Sequence, residues 1–216
     1  MTPLQPGNSR KMIESQTVAP IANGYTVLPP GKLANAVTWL EMRGKPEGHT
    51  VPARPDLALQ PLRGGDVDRY LRIFRAVGDA WLWSGRLALQ HSEIAAVLDA
   101  PQTRAFALVE RNADVGLLEI SFKENAAELD YFGVVEQAIG RGIGRWLMAQ
   151  AIALAWSQPI ERFWLHTCSF DSPAAIGFYR QSGFTPYQVG FEIMDDPRLN
   201  GQLPRTAGAH VPMIEG

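Results

Sequence analysis

Three glycines at alternate positions, Gly140, Gly142 and Gly144, are the residues whose type and spacing most clearly suggest chemistry. They follow a run rich in β-forming residues, 128–135, and they open an apolar stretch with helical periodicity, 142–156. A glycine backbone lets a phosphate approach closely, a helix N-terminus offers unpaired N–H groups, and Arg141 and Arg145 add positive charge. The pattern predicts a loop that holds the pyrophosphate of a nucleotide-like cofactor.

The spacing of these glycines excludes two common nucleotide-binding loops. The dinucleotide fingerprint needs Gly-x-Gly-x-x-Gly, and its third glycine would fall on Arg145. The P-loop needs Gly-Lys followed by Ser or Thr, and no such triplet follows Gly144. On the glycines alone, a glycine-rich turn that binds nothing remains an open alternative.

His166 and Cys168 are the other residues whose types suggest chemistry, here a nucleophile activated by a base. They lie two residues apart on a predicted strand, so their Cα atoms are about 6.6 Å apart and their side chains run side by side. That is a poor geometry for proton transfer, and a buried cysteine beside a hydrogen-bonded histidine is the favoured interpretation. No His, Cys or carboxylate cluster has metal-ligand spacing, so we expect no metal.

The elements that would position these residues form a regular mixed pattern after residue 56. The predicted order is β, α, α, β, β, β, α, β, α, β, preceded by two further strands. Turn and capping residues bound the elements, which span residues 25–28, 34–42, 57–62, 67–77, 93–98, 106–111, 115–122, 128–135, 142–156, 162–168, 174–182 and 184–194. The stretch 81–87 is expected to be a short helix or a turn. The three strands before the glycines form an antiparallel meander, and the strand at 162–168 is expected to run parallel to the one before the helix if the two neighbour each other.

Composition bounds the class of protein. The chain has 216 residues, a formal net charge of −2, 46% hydrophobic and 19% charged residues, which suits one large domain or a domain with extensions. The near-neutral charge predicts no nucleic-acid partner and argues against an acidic membrane surface. The longest apolar run, 151–156, is far shorter than the roughly 20 residues of a spanning helix, and one cysteine cannot form an internal disulfide. A soluble cytoplasmic protein is expected.

Two motifs together resemble one family. The first is Arg141-Gly142-Ile143-Gly144 after a strand that ends in Val134-Val135, and the second is the stretch AIGFYRQSGF at 175–184, with a strand between them. They are similar to the coenzyme A loop and the closing helix of the GNAT (GCN5-related N-acetyltransferase) superfamily over residues 57–194. The resemblance implies an α/β (α+β) GNAT fold, a mixed, mostly antiparallel sheet with helices on both faces, here with an N-terminal β extension.

The resemblance also implies a donor site. It predicts acetyl-CoA (coenzyme A) as the cofactor. The backbone groups expected to hold it belong to Val134, Val135, Gly140, Arg141, Gly142, Ile143, Gly144 and Arg145. N–H groups near Val134 and Val135 would serve as donors to the acetyl oxygen because the superfamily's strand is bulged and splayed there, and Gly133 makes such an irregularity easier.

Catalytic roles come from the same resemblance. Tyr179 matches the tyrosine that protonates the departing thiolate, although a core aromatic on an amphipathic helix is the alternative. Glu128 lies fourteen residues before Gly142, the spacing of the glutamate base in histone-type members, and shares a predicted strand face with Asp130 and Phe132. Glu119 is a second candidate base, and a water relay is a third possibility.

The acceptor region is expected between the first helices, at Trp81 and Trp83. An exposed tryptophan there would favour an apolar or aromatic acceptor, or a cation over its ring, and core packing is the expected role of at least one of the two. The predicted activity is N-acyl transfer, by default of acetyl, to a small-molecule or peptide amine. A coenzyme A-binding sensor or scaffold without turnover is the alternative.

The expected organisation has three parts: an N-terminal extension at 1–45 whose start is poorly ordered, an acetyltransferase domain at 46–195, and a C-terminal tail at 196–216 wrapped on the surface. The extension's two predicted strands, 25–28 and 34–42, could instead pair with a second subunit, which would give a homodimer.

Overall fold

A computed structural model describes residues 22–215 of the chain. Seven strands and four α-helices occur in this part, with short 3-10 turns between them. In chain order they are β1 Lys32–Met42, β2 Leu57–Leu62, α1 Val67–Gly78, α2 His91–Asp99, β3 Thr103–Glu110, β4 Ala113–Lys123, β5 Ala126–Val134, α3 Ile143–Ala155, β6 Arg162–Cys168, α4 Ala175–Gln181 and β7 Thr185–Asp195. The order of elements predicted from residue 57 onward is confirmed, and the stretch 81–87 contains turns but no α-helix. The strand expected at 25–28 is absent because Tyr25 and Val27 are exposed, so no packing supports it.

All seven strands form one sheet in the order β2-β3-β4-β5-β6-β1-β7. Every neighbouring pair is antiparallel except β5 and β6, which are parallel as the sequence predicted. This parallel pair is short, since only residues 126–128 are in register with 162–164. Beyond Glu128 the two strands no longer pair, and the sheet is open there.

Helices cover both faces of the sheet, as expected. On one face α1 and α2 bury an apolar stripe against β3 and β4, with Tyr70 and Phe74 fully enclosed. On the other face α3 inserts Ile143, Leu147 and Ala151 into the main core, which also contains Leu118 and Phe163. The core under α3 contains residues from both sides of the opening between β5 and β6, since Leu118 belongs to β4 and Phe163 to β6.

The N-terminal strand β1 lies inside the sheet rather than in a separate extension. It is in antiparallel register with β6 on one side and with β7 on the other. The boundary expected at residue 45 therefore falls within a single sheet. The hypothesis that this strand pairs with a second subunit is wrong, because both of its hydrogen-bonding edges are used within the chain.

The C-terminal tail, residues 196–215, is anchored through a buried arginine. Arg198 is 4% exposed, forms a double hydrogen bond with Asp196, and donates to the carbonyl oxygens of Ala207, Gly208, Val211 and Pro212. Leu203 and Ala207 are buried against Leu82 and Phe170. The tail thus packs into the fold instead of lying on its surface, and its contacts support the segment that follows α1.

Candidate active site

A cleft of about 1820 Å³ occupies the opening between β5 and β6. One end is the glycine turn, residues 140–144, at the start of α3. The middle is lined by Phe132 and by Tyr179 of α4. The other end is bounded by the α1–α2 connection with Trp81 and Trp83, and by the exposed faces of β6, β1 and β7. Most of the sequence-predicted site residues therefore line one continuous depression, although Val135, Arg141 and Ile143 are not part of its lining.

The glycine turn has the geometry of a cradle for an anionic group. Gly140 and Gly142 have φ of +78° and +74°, a backbone conformation that favours glycine, and no atom lies within 4 Å of where a Cβ on Gly140 or Gly144 would stand. The first helical bond of α3 runs from the N–H of Trp146 to the carbonyl of Gly142. The N–H groups of Ile143, Gly144 and Arg145 in the first turn therefore have no partner within the helix.

The two arginines of the turn are in different situations. Arg141 forms an ion pair with Glu110 at 2.5 Å, so its charge is largely compensated. Arg145 lines the cleft, and one of its guanidinium nitrogens lies 4.0 Å from where a Cβ on Gly142 would stand. Of the two charges that the sequence placed at the rim, Arg145 is the one positioned to meet an anion.

Of the two backbone N–H groups predicted as donors at the end of β5, one is used within the sheet and the other faces away from β4. The N–H of Val135 donates to the carbonyl of Val115 on β4 at 2.9 Å, so the prediction that this N–H donates to the acetyl oxygen is wrong. Val134 is the next residue in register, opposite Gly116. Because hydrogen-bonded and non-hydrogen-bonded pairs alternate along an antiparallel ladder, the Val134 N–H points away from β4 and toward the open side of β5.

Tyr179 lies on α4 against the core side of the cleft. Its ring packs edge-on against Phe132, Phe178 and Phe184, with centroid distances of 6.3, 5.6 and 6.2 Å. Burial, together with the negative charge of Asp171, raises the pKa of Tyr179 well above its ordinary value. The phenol is therefore neutral, with its proton in place, across the physiological pH range. Tyr179 is packed among aromatic rings, as expected of a core residue, and it also lines the cleft, as a catalytic residue must.

A bulge in β5 changes which side chains share a face. Glu119 of β4 is in register with Tyr131 and Ile120 with Leu129, which leaves Asp130 as the extra residue. The irregularity therefore lies at Asp130, not near Val134 as expected. Past the bulge the alternation is shifted, and Phe132 packs against α4 instead of sharing a face with Glu128 and Asp130. Of the three residues predicted to share one face of the strand, only Glu128 and Asp130 do so.

The two candidate bases have very different surroundings. Glu128 lines the cleft, its side chain is 14% exposed, and Oε1 lies 3.9 Å from Nδ1 of His166 on β6. Glu119 is 1% exposed, accepts a hydrogen bond from the hydroxyl of Tyr70 at 2.5 Å and is ion-paired with Arg86. Glu119 is a buried structural carboxylate, so its proposed role as a base is wrong.

Both tryptophans of the α1–α2 connection line the cleft, and each also packs against a neighbour. Trp83 rests on Phe74 and Tyr131, at centroid distances of 5.5 and 5.2 Å, and belongs to the core under α1 and α2. The Trp81 ring lies 5.7 Å from the ring of His210 in the tail. The tail therefore holds Trp81 at this end of the cleft, and Trp83 is the core aromatic that the sequence expected one of the two to be.

Asp171, just before α4, is a functional candidate that the sequence reasoning missed. Its carboxylate accepts hydrogen bonds from the hydroxyl of Thr167, the N–H of Cys168 and the indole N–H of Trp83, at 2.7, 2.9 and 3.4 Å. It joins the end of β6 to the α1–α2 connection across the cleft. The signal in the sequence was an Asp followed by Ser-Pro, which indicates a turn but gives no hint of a partner 88 residues away.

A mixed sheet opened between two parallel strands, with a glycine-rich helix start on one side and a tyrosine-bearing helix beside it, defines an α/β acyltransferase-type fold. A sequence model of the acetyltransferase (GNAT) family matches residues 71–184, more than half of the chain. The chain belongs to this family, whose acyl donor is acetyl-CoA. No curated protein matches the chain significantly.

Solved structures support the same fold at low sequence identity. A conserved protein of unknown function from Staphylococcus epidermidis superimposes with a TM-score of 0.59 at 19% identity, over 77% of this chain and 63% of that one. A GCN5-related N-acetyltransferase from Sphaerobacter thermophilus gives 0.57 at 13%, over 86% and 55%. The PaiA N-acetyltransferase from Thermoplasma acidophilum, in complex with coenzyme A, gives 0.50 at 15%, over 60% and 89%. The chain thus spans less than two thirds of the first two proteins.

The residues present fit acetyl-CoA. The open space in front of Gly140 and Gly144, the three N–H groups without a partner within α3 and the Arg145 side chain suit a pyrophosphate. The gap between β5 and β6 leads from there toward Tyr179. In the described part of the chain no three His, Cys, Asp or Glu side chains are placed to hold a metal ion. Among the same residues, 22–215, there is also no helix with the length and apolar character to span a bilayer.

Proposed function

We propose that this protein transfers an acetyl group from acetyl-CoA to a primary amine that enters the cleft opposite the glycine turn. The observation that carries the proposal is the single cleft that connects the unpaired N–H groups of α3 with Tyr179 and Glu128. When bound, the donor supplies an acetyl thioester. The chain supplies the contacts that orient it and the groups that move protons.

Donor binding is assigned to backbone groups rather than to side chains. The N–H groups of Ile143, Gly144 and Arg145 and the guanidinium of Arg145 hold the pyrophosphate, and the open side of β5 pairs with the rest of the donor. The Val134 N–H is oriented to donate to the acetyl oxygen, where charge develops during transfer. This arrangement recognises the donor's phosphates and amides and leaves the acceptor to the other end of the cleft.

Tyr179 is the proposed general acid. Its elevated pKa keeps the phenolic proton in place, so the hydroxyl is available as a hydrogen-bond donor and proton source for the sulfur as the C–S bond weakens and negative charge develops there. Glu128, directly or through a group in contact with it, receives the proton that the ammonium form of the acceptor must lose. Attack by the neutral amine is then direct, with no covalent enzyme intermediate.

The acceptor is proposed to be a small-molecule or peptide amine with an apolar or aromatic part. The acceptor end of the cleft carries Trp81, Trp39 and Trp164 together with the carboxylates of Glu128 and Asp130. Carboxylates attract an ammonium group, and indole rings bind both apolar groups and cations. A screen of primary amines that differ in ring content and charge, scored by coenzyme A release, would establish the class.

The test of the proposed function is Tyr179→Phe, which removes the proton and keeps the ring packing. We expect turnover to fall by about 10²–10⁴, the range for one general acid, while the affinity for coenzyme A measured by calorimetry stays unchanged. Tyr25→Phe is the matched control, because Tyr25 is fully exposed and outside the cleft. Unchanged turnover in Tyr179→Phe removes this residue from the mechanism. Tight donor binding without release on any amine would instead indicate a coenzyme A-binding sensor.

A further inference from the structure

The Glu128–His166 contact is the feature of the cleft that the proposed roles leave unused. The two side chains come from β5 and β6, the parallel pair, at the level where the strands stop pairing. Nδ1 of His166 lies 3.9 Å from Oε1 of Glu128, which leaves Nε2 on the far side of the ring. Both residues line the cleft. A histidine and a carboxylate from two strands thus meet at the closed end of the opening.

Exposure distinguishes the two members of this contact. The His166 side chain is 37% exposed, whereas that of Glu128 is 14% exposed and its Oε1 is shielded from solvent. A group that takes a proton from a substrate must present an atom to it, so the imidazole is the accessible member. The ring of Trp39, the cross-strand neighbour of His166 on β1, lies 6.4 Å from the imidazole and confines its position.

Base strength also favours the imidazole of His166 over the carboxylate of Glu128 as the proton acceptor. An imidazole has an ordinary pKa near 6.5 and a glutamate near 4.3, so the imidazole is the better match for a proton held by an ammonium group. A carboxylate beside Nδ1 favours the tautomer in which Nε2 carries no proton, and it stabilises the imidazolium that forms. At 3.9 Å the contact is electrostatic rather than a hydrogen bond, and such contacts commonly tighten when substrate binds.

We propose that Glu128 and His166 form a proton-accepting dyad for a primary ammonium substrate, with Nε2 of His166 as the base and Glu128 as the residue that positions it. The proposal rests on the proposed acetyl transfer. His166 takes one proton from the ammonium, and the nitrogen lone pair forms the C–N bond to the acetyl carbon. Tyr179 gives its proton to the sulfur as the C–S bond breaks and regains one from the nitrogen. His166 then releases its proton to water, so the atoms and charges balance.

The cleft holds other groups that can affect a pH profile at His166. Charged or titratable side chains on the surrounding elements are Asp130 of β5, Arg162 and Cys168 of β6, Glu41 and Arg43 of β1, Tyr187 and Glu192 of β7, Arg86 before α2 and Asp171 before α4. Arg162 and Arg43 both pair with Glu41. None of these side chains has to be changed in the test, because the variants alter only His166 and Glu128 themselves.

The experiment compares His166→Gln, Glu128→Gln and the control His91→Gln in coenzyme A release with a primary amine across pH. His91 is a matched control because it also contacts a carboxylate, Asp68, but on the exposed surface. We expect His166→Gln to lower kcat/KM by about 10²–10⁴ and to remove the acidic limb of the profile, with coenzyme A affinity unchanged. Free imidazole should partly restore the rate of His166→Ala, which a merely structural role would not allow.

Glu128→Gln should shift the acidic limb of the profile to lower pH, because an amide stabilises the imidazolium less than a carboxylate does. The NMR titration of the His166 ring should show the same displacement, and this readout needs no turnover. A titration midpoint that is the same in both proteins overturns the dyad, as does a His166→Gln enzyme with the rate and acidic limb of the wild type. Wild-type protein that binds coenzyme A but acetylates no amine contradicts the proposed function instead, while the titration still decides the dyad.

Discussion

Removing Arg86 should strongly destabilise the fold, because it leaves the Glu119 carboxylate buried without its counter-charge. Glu119 is 1% exposed and the Arg86 side chain 14%, and Tyr70 supplies the remaining hydrogen bond. Burial opposes the charge on Arg86, but the neighbouring Glu119 outweighs it and keeps the Arg86 pKa above its ordinary value. Breaking such a pair on one side costs about 3–5 kcal/mol. We expect this loss of unfolding free energy in Arg86→Met.

A double-mutant cycle measured by urea unfolding tests the reasoning. Glu119→Gln should cost less than Arg86→Met, because the amide still accepts from Tyr70 and Arg86, at the cleft, can be hydrated. The double variant should be more stable than the sum of the single losses by about 0.5–3 kcal/mol, with similar denaturant slopes. Arg205→Met, which breaks a pair exposed on both sides, is the control and should cost less than about 1 kcal/mol. A cost below about 1 kcal/mol for Arg86→Met, or an additive cycle, would refute the argument.

Two further predictions follow from groups next to the cleft and in the tail. Hydrogen bonding to Arg198 lowers the pKa of Asp196, so the pair stabilises the fold above the ordinary aspartate pKa of about 3.9, and this contribution is lost as pH falls through the lower folded value. Wild type should therefore lose its stability advantage over Asp196→Asn in acid unfolding below about pH 4. Burial, with the charge of Asp171, raises the pKa of Cys168 to about 11. Its alkylation should be slow at neutral pH in the folded protein and fast after unfolding; rapid reaction of the folded thiol would contradict this.

Elements with strong local signals were predictable from the sequence. The strand at 162–168 agrees with β6 at both ends, and the helix predicted at 142–156 differs from α3 by one residue at each end. Glycines, capping residues and a sustained apolar pattern act within a few residues, so they are visible without tertiary information. The positions of the glycine turn and of Tyr179 followed from the same local signals.

What the sequence could not show depends on pairing between distant strands. The bulge at Asp130 exists because of how β5 meets β4, and it moves Phe132 to the opposite face from Glu128. The use of the Val135 N–H by Val115 has the same origin. Strand β1 was recognised as a strand, but nothing near it in sequence indicates that β6 and β7, more than 100 residues away, are its neighbours.

The two ends of the cleft are built from different parts of the sequence, and β1 contributes to only one of them. The glycine turn, Glu128 and Tyr179 all lie within residues 71–184, the part that matches the family. Trp39 on β1, the exposed row of β7 and the tail that supports Trp81 lie outside it. The proposed donor end thus lies within the sequence that matches the family, whereas much of the proposed acceptor end comes from segments outside that match. We infer that acceptor choice is set largely by β1, β7 and the tail, since these elements determine what faces the His166 ring across the cleft.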